Sequence, residues 1–445
     1  MRKVALHTLG CKLNYAETST MGREFADRGY EIVEFDQPAD VYLLNTCSVT
    51  ERADRECRQI IRRALRLSPE AYIIVAGCYA QLRPEEIARI DGVDLVLGTT
   101  QRSSLFEHAG SFVKQPVPQV YVSCIDEALE CTPAHAAEPG ARTRSFLKIQ
   151  DGCDYNCTFC TIPMARGRSR SRAAEDVVAD ARRIASDGFK EVVLTGVNVG
   201  DYGRKDGSDL SALLRMLEKV AGIERIRISS IEPNLLSPGL VDLILGSEKC
   251  CNHFHIPLQS GSDGVLKKMS RRYGTRHYRH LAEYIKERDA DASIGADVIV
   301  GFPGETDQHF NETVTFICEL PISYLHVFSY SERPGTPAAD FERPVEPRIR
   351  ASRSESLREL GRKKRHAFHS SLVGRSMPVL FEGKRHNGVV SGLTRNYVRV
   401  EAVSARDLTN EVHTVALHDP GSEGCAGELL PAGHLRVPAE SLITT

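Results

Sequence analysis

The chain has 445 residues, 26% of them charged and 41% hydrophobic, which excludes wholesale disorder and sets a prior of about three domains. Its 57 Lys and Arg nearly cancel its 59 Asp and Glu, so a uniformly basic coat is excluded and any polyanion site must be a local patch. No apolar run reaches the roughly 18 residues that span a bilayer. The stretch MRKVALHTLGCKLNYAET lacks the apolar core and cleavage site of a signal peptide, so a cytoplasmic protein with no membrane partner is expected. Thirteen cysteines in a reducing compartment point to metal ligation or catalysis before disulfides.

In chain order, 3–9 is a short apolar run ending at Gly10 and Cys11, 16–28 has helical spacing, and 30–35 and 41–44 read as strands. The second of these strands runs into Asn45, Thr46 and Cys47. An amphipathic helix follows at 51–67, then a strand at 71–76 ending at Gly77 and Cys78. Strand–helix alternation over 1–115 implies a parallel sheet with helices on both faces. The site of such a sheet lies at the strand C-terminal ends, where Cys11, Cys47 and Cys78 all stand.

Residues 116–141, rich in Pro, Ala and Glu, read as a linker. Alternation resumes with strands at 145–150, 191–195, 225–229, 254–258, 293–300 and 324–330, separated by helical patterns such as 173–186, 210–220, 276–288 and 307–319. Six such units over 142–370 suggest a full or partial (β/α) barrel with its chemistry at the strand C-terminal ends. From about 371 to 445 the pattern changes to short strands broken by Gly and Asn, MPVLFEG, GVVSGLT, NYVRVEAV and EVHTVAL. That is the pattern of a small, OB-like β-barrel. The fold class expected is therefore multidomain α/β with a C-terminal β-barrel.

The segment DGCDYNCTFC, just after the first strand of the expected barrel, spaces Cys153, Cys157 and Cys160 as CxxxCxxC. Three thiolates do not close a tetrahedral zinc site, and no histidine lies close by in sequence to complete one. On an iron–sulfur cube they leave one iron open. This motif resembles that of the radical S-adenosylmethionine superfamily. The resemblance implies a 4Fe-4S cluster on the three cysteines, with Phe159 near the adenine of S-adenosylmethionine. It further implies that Gly196 and Asn198 of LTGVN, together with Ser230, Glu232 and Gln259 at later strand ends, contact that cofactor.

The earlier trio (Cys11 in TLGCKLNYAET, Cys47 in NTCSVTERADRECRQIIRRA, Cys78 in AGC) resembles the N-terminal domain of the methylthiotransferases. There, three cysteines hold an auxiliary 4Fe-4S cluster. The resemblance covers nearly the whole chain, with a TRAM-type RNA-binding barrel at the C-terminus. The wording around Cys11 and Cys47 is most similar to the enzymes that act on N6-threonylcarbamoyladenosine in tRNA. The family implies methylthiolation of adenine C2 beside the anticodon, and an electron donor such as flavodoxin or ferredoxin. Alternative readings are methylthiolation of isopentenyladenosine in tRNA or of a ribosomal-protein aspartate, or a non-catalytic iron–sulfur protein that binds RNA. The other seven cysteines match no motif and read as structural or surface thiols.

Charge is unevenly spread, since residues 341–400 carry 14 Lys and Arg against 5 Asp and Glu. Such a patch suits a phosphate backbone, with Lys384 and Arg399 as candidate contacts. Arg52 and Arg55 on the 51–67 helix, and Arg166, Arg168 and Arg170 just past the CxxxCxxC, are candidates for a substrate carboxylate, which a guanidinium fork fits. Removing the residues from 371 onward is expected to weaken tRNA binding while cofactor cleavage survives.

Overall fold

A computed structural model describes residues 1–48, 50–136 and 143–431; the side chains of 52, 384 and 385 lie outside that description. The candidate contacts Arg52 and Lys384 therefore fall outside the described residues as side chains.

The N-terminal unit is a six-stranded sheet in the order β2-β1-β3-β4-β5-β6, every neighbouring pair parallel. The strands are β1 (Lys3–Thr8), β2 (Glu31–Val33), β3 (Val41–Thr46), β4 (Tyr72–Gly77), β5 (Leu95–Leu97) and β6 (Gln119–Tyr121). Helices α1 (Lys12–Asp27), α2 (Glu51–Leu67), α3 (Cys78–Leu82), α4 (Pro84–Ala88) and α5 (Leu105–Ala109) connect them. Strands β3 and β4 are buried along their whole length, as parallel strands covered on both faces must be. The short strands β5 and β6 escape the sequence reading, and β6 lies inside the segment read as a linker. Further along that segment, Ala134 and Ala136 exchange backbone hydrogen bonds with the strand Arg144–Lys148.

That strand, β7 (Arg144–Lys148), opens the second unit. The two-residue strands β8 (Gln150–Asp151) and β9 (Arg170–Ser171) flank α6 (Ile162–Arg166). Then come α7 (Ala174–Ser186), β10 (Glu191–Thr195), α8 (Leu210–Leu217), β11 (Arg225–Ile228), α9 (Pro238–Gly246), β12 (His253–His255), α10 (Asp263–Lys268), α11 (Thr275–Arg288), β13 (Ser293–Val300), α12 (Asp307–Glu319) and β14 (Tyr324–Ser329). Two parallel sheets, β7-β10-β11 and β12-β13-β14, are joined by single bridges from Ile226 to Cys250 and Ser230 to His255. The result is a six-stranded arc, a partial barrel. Leu147, Val192, Leu194, Ile226, Ile228, Phe254, Ile294, Ala296 and Val298 join the core formed with the helices. The period-2 alternation of a strand turns the intervening residues into the lumen. Gly295 is one of them: a Cβ there would meet the Tyr324 ring at 2.1 Å, so only glycine lets that ring lie across the lumen.

A 25-residue helix, α13 (Pro347–Ser371), leads to a closed barrel of β15 (Ser376–His386), β16 (Val389–Thr394), β17 (Arg399–Val403), β18 (Val412–Pro420) and β19 (Cys425–Leu429). No helix is read from the sequence at α13, whose mixed Arg, Ser and Glu give it little apolar stripe. The barrel is docked on the arc: buried Arg225 donates to the carbonyls of Leu393 and Pro378, and buried Arg227 to those of Arg395 and Thr394. A chain ending at Ser371 would take those acceptors away and open both guanidiniums to water, with Arg227 still held by Glu191, so the loss is the docking contact itself. The truncated protein should therefore melt lower and bind tRNA more weakly. A truncated chain that melts like the full one would show the docking to be dispensable.

Candidate active site: two cysteine trios at one domain interface

Cys153, Cys157 and Cys160 lie on the loop between β8 and α6, each partly buried. The backbone N–H groups of Tyr155 and Ile162 point at the sulfurs of Cys153 and Cys160, both at 3.4 Å. Arg271 donates to the Cys157 sulfur at 3.0 Å and pairs with Glu232. Burial pushes the Cys153 and Cys160 thiols up to about 12, and the neighbouring Cys157 adds to it. Three thiols this close, with N–H donors aimed at sulfur, fit a cluster held by three thiolates; loading it must displace their protons.

The second trio gathers at the carboxyl ends of three interior strands of the sheet. Cys11 caps α1, Cys47 follows β3 and Cys78 follows β4. Gly10 has φ +100°, and a Cβ there would sit 2.6 Å from the Cys47 Cβ, so glycine is what lets the first two loops touch. Arg166 of α6 donates to the Cys78 sulfur at 3.3 Å. The two trios are neighbours across the domain interface. Thr161, next to Cys160, donates to the carbonyl of Ser48, next to Cys47, at 3.4 Å. Arg333 reaches from the arc to Ser48 and Asp54 at 2.6 and 2.7 Å.

Arg166 ties the interface together. Its five N–H groups reach Cys78, Glu17 (twice), Asp151 and Asn14. Arg102 also binds Glu17, and Lys148 binds both Glu17 and Asp151. Burial alone would raise Glu17, but Arg102, Arg166 and Lys148 hold it well below the carboxylate range, and Arg166 and Lys148 do the same for Asp151. Arg166 therefore has no donor left for a substrate carboxylate, which corrects the expectation placed on it. Arg170 spends its donors on the carbonyls of Glu130, Arg166 and Arg168, while Arg168 itself is exposed. Arg55 is exposed and paired with Glu51. Arg399 lies 3.7 Å from Glu382 and lines a cavity of about 190 Å³ between the arc, α13 and the C-terminal barrel.

Among the candidate cofactor contacts, Phe159 and Gln259 line one cavity of about 220 Å³ with Cys160, Asp297 and Phe328. Gln259 keeps φ at +64°, and its buried Oε1 has no hydrogen-bond partner among the described residues. Both amide atoms of buried Asn198 are likewise unpartnered among them, and orphaned polar groups of this kind mark room for a polar ligand. Gly196 backs onto Gln150, whose Oε1 accepts from the backbone of Val197 and Asn198 at 2.9 Å. Ser230 shares a hydrogen bond with His255, which is 3.0 Å from Asp297. Glu232 is not open to a ligand on its own, because Arg271 holds it.

Sequence reasoning missed Arg271, the Glu17–Asp151–Lys148 network and the trio of His255, Asp297 and His326, whose ligand atoms lie within 4.8 Å of one another. The one available signal was polar residues at inward positions of strands, which a barrel core does not need. Of the remaining cysteines, Cys57, Cys250, Cys251 and Cys425 are buried, Cys131 is partly buried, and Cys124 and Cys318 are exposed.

A partial barrel with a three-cysteine loop past its first strand, facing a second three-cysteine centre, defines a radical S-adenosylmethionine enzyme with an auxiliary site. The chain matches the Radical SAM superfamily over residues 147–317 and the uncharacterized protein family UPF0004 over 3–98. It is 39% identical to the threonylcarbamoyladenosine tRNA methylthiotransferase MtaB of Bacillus subtilis, over 95% of both chains. Identity to the protein of the same name from Aquifex aeolicus is 40%, over 91% of this chain and 98% of that one. The fold is similar to that of the radical S-adenosylmethionine methyltransferase TsrM from Kitasatospora setae, with a TM-score of 0.51, 14% identity, and 88% and 77% of the two chains covered. The chain belongs to the radical S-adenosylmethionine methylthiotransferase family, among its threonylcarbamoyladenosine tRNA members. No helix among the described residues is long and apolar enough to cross a membrane.

Proposed function

We propose that the protein replaces the C2 hydrogen of N6-threonylcarbamoyladenosine, next to the anticodon of a tRNA, with a methylthio group. The observation that supports this reading is the contact from Thr161 to Ser48, the residues next to Cys160 and Cys47, which joins the two cysteine-bearing loops across the domain interface. Cys153, Cys157 and Cys160 would hold one 4Fe-4S cluster, and Cys11, Cys47 and Cys78 the other. When bound, the radical-loop cluster and S-adenosylmethionine would supply the electron and the radical that takes up the C2 hydrogen, and a sulfide held at the Cys11, Cys47 and Cys78 cluster, methylated by a second S-adenosylmethionine, would supply the methylthio group. Phe159, Asn198 and Gln259 would hold the cofactor, together with Gly196 and Ser230; the unpartnered amide atoms of Asn198 and Gln259 support this reading. Arg271, beside Cys157, is placed to stabilise thiolate charge. The base leaves its stack to enter the lumen, and the chain's task is then placement and exclusion of water.

The partners of this reading are tRNA and a reductant of the flavodoxin or ferredoxin kind, in the cytoplasm. The basic stretch from α13 into the barrel, Arg399 included, supports contact with the phosphate backbone. The test is to give reconstituted enzyme one tRNA carrying N6-threonylcarbamoyladenosine and another carrying isopentenyladenosine, and to read nucleosides by mass spectrometry. Methylthio product on the first alone is expected. Preference for the second, or product only on a ribosomal protein, would overturn the substrate assignment.

A further inference from the structure

Helix α1 belongs to the N-terminal unit, yet it packs on the inner face of the arc: Tyr15 and Ala16 meet Phe146 of β7 and Val193 of β10. Its first residue, Lys12, is thereby delivered into the lumen. The Lys12 ammonium lies 5.8 Å from the centre of the Tyr397 ring. Tyr397 sits on the turn between β16 and β17 and stacks on His253 of β12 at 4.5 Å. The guanidiniums of Arg227 and Arg144 are 5.0 and 6.0 Å from the same ring. Three domains thus meet around one aromatic ring, on the wall of the 190 Å³ cavity that Arg144, His326, Arg365 and Arg399 also line.

The charges here do not balance. Glu191 is held by two hydrogen bonds from Arg227 and lies 3.9 Å from Arg225. Glu382 serves both Arg144 and Arg399, and Glu423 serves Arg365. Lys12 is exposed to the lumen and has no hydrogen bond or ion pair among the described residues. A wall with more cations than carboxylates, one of them without an acid, is suited to an anionic group that arrives with the substrate. Lys12 directly follows Cys11, so covalent geometry keeps its ammonium within about 13 Å of that thiol. That is enough to reach from the C2 edge of an adenine at the auxiliary site to an acid group on its N6 substituent.

We propose that Lys12, with Arg144 beside it, receives the carboxylate of the substrate's N6 substituent and so selects an acidic modified adenosine. This rests on the substrate reading above. The Tyr397 ring forms the floor under that ion pair, which makes the C-terminal barrel part of the substrate pocket as well as an RNA contact.

The test uses reconstituted full-length enzyme and fluorescent anticodon stem-loops carrying N6-threonylcarbamoyladenosine, its methyl ester, or plain adenosine, with binding read by anisotropy. Wild type should prefer the free acid. Lys12→Gln should lose about tenfold to a hundredfold of its affinity for the acid, the size of a charged hydrogen bond, and bind the ester as wild type does. Lys12→Arg should keep most of the preference. An unaltered preference in Lys12→Gln would overturn the proposal. So would an equal loss on all three loops with a flatter salt dependence, which would place Lys12 on a backbone phosphate. A wild-type enzyme that binds the acid loop preferentially but leaves its C2 unmodified would overturn the substrate reading and not the role of Lys12.

Discussion

Replacing Cys153, Cys157 and Cys160 together by alanine should halve the iron of anaerobically reconstituted protein, from about eight atoms per chain to about four, and abolish methylthiolation. The mirror variant at Cys11, Cys47 and Cys78 should also fall to about four iron atoms. It should retain cleavage of S-adenosylmethionine, because the thiols of the radical loop are untouched. On the proposed function the two losses would differ in kind: the first would remove the source of the radical, the second the seat of the sulfur. Each trio is built within its own domain, one on a single loop and the other from three strand ends, so one is expected to load without the other. Zinc in place of iron, or a first variant that keeps all its iron, would refute the assignment. Full methylthiolation by the second variant would make Cys11, Cys47 and Cys78 structural.

Both trios were legible in the sequence, one by its CxxxCxxC spacing and the other because Cys11, Cys47 and Cys78 each follow a strand, and the C-terminal end of a parallel strand is where backbone geometry exposes a side chain to a cleft. The long strands were legible for the same reason that they are stable: β3 and β4 are continuous apolar runs. What the sequence hid is pairing across domains. Arg166 reads as one of several arginines in RGRSRSR, and nothing local distinguishes it from exposed Arg168 two residues on. Only the fold brings Asn14, Glu17 and Cys78 to it. The linker reading of 116–141 failed in part for a related reason, since a three-residue strand such as β6 carries too few residues to show a period. Lys12 lies before the helical spacing read at 16–28, and only the fold shows α1 starting there and entering the lumen.

Arg166→Leu should lower the stability of the protein by about 3–5 kcal/mol, because Glu17 and Asp151 would stay buried with Lys148, Arg102 and the more distant Arg170 against them. Arg166 is 1% exposed, so water cannot take its place. Glu17→Leu combined with Arg166→Leu should cost less than the sum of the single changes, since removing both ends leaves fewer charges stranded. The pH profile gives a second readout. Glu17 and Asp151 are held below their ordinary range by Arg102, Arg166 and Lys148 against the pull of burial. Their stabilisation is complete above the ordinary carboxylate value of about 4 and is lost as pH falls through their lower native values. Lys148 moves the other way, raised by Asp151 and Glu17 against burial, so its contribution holds below about 10.5 and fades only above its native value. Wild type should therefore keep this contribution from about pH 5 to 10 and lose it in acid, whereas Arg166→Leu should show a shallower acid arm. Arg166 also faces the Cys78 sulfur, so the variant should lose iron from the auxiliary trio before the radical one. Thermal unfolding at pH 7 and at about pH 2.5, with iron counted in the pH 7 samples, decides it. A change below about 0.5 kcal/mol at pH 7, the scatter of ordinary surface substitutions, would mean that the interface does not depend on Arg166.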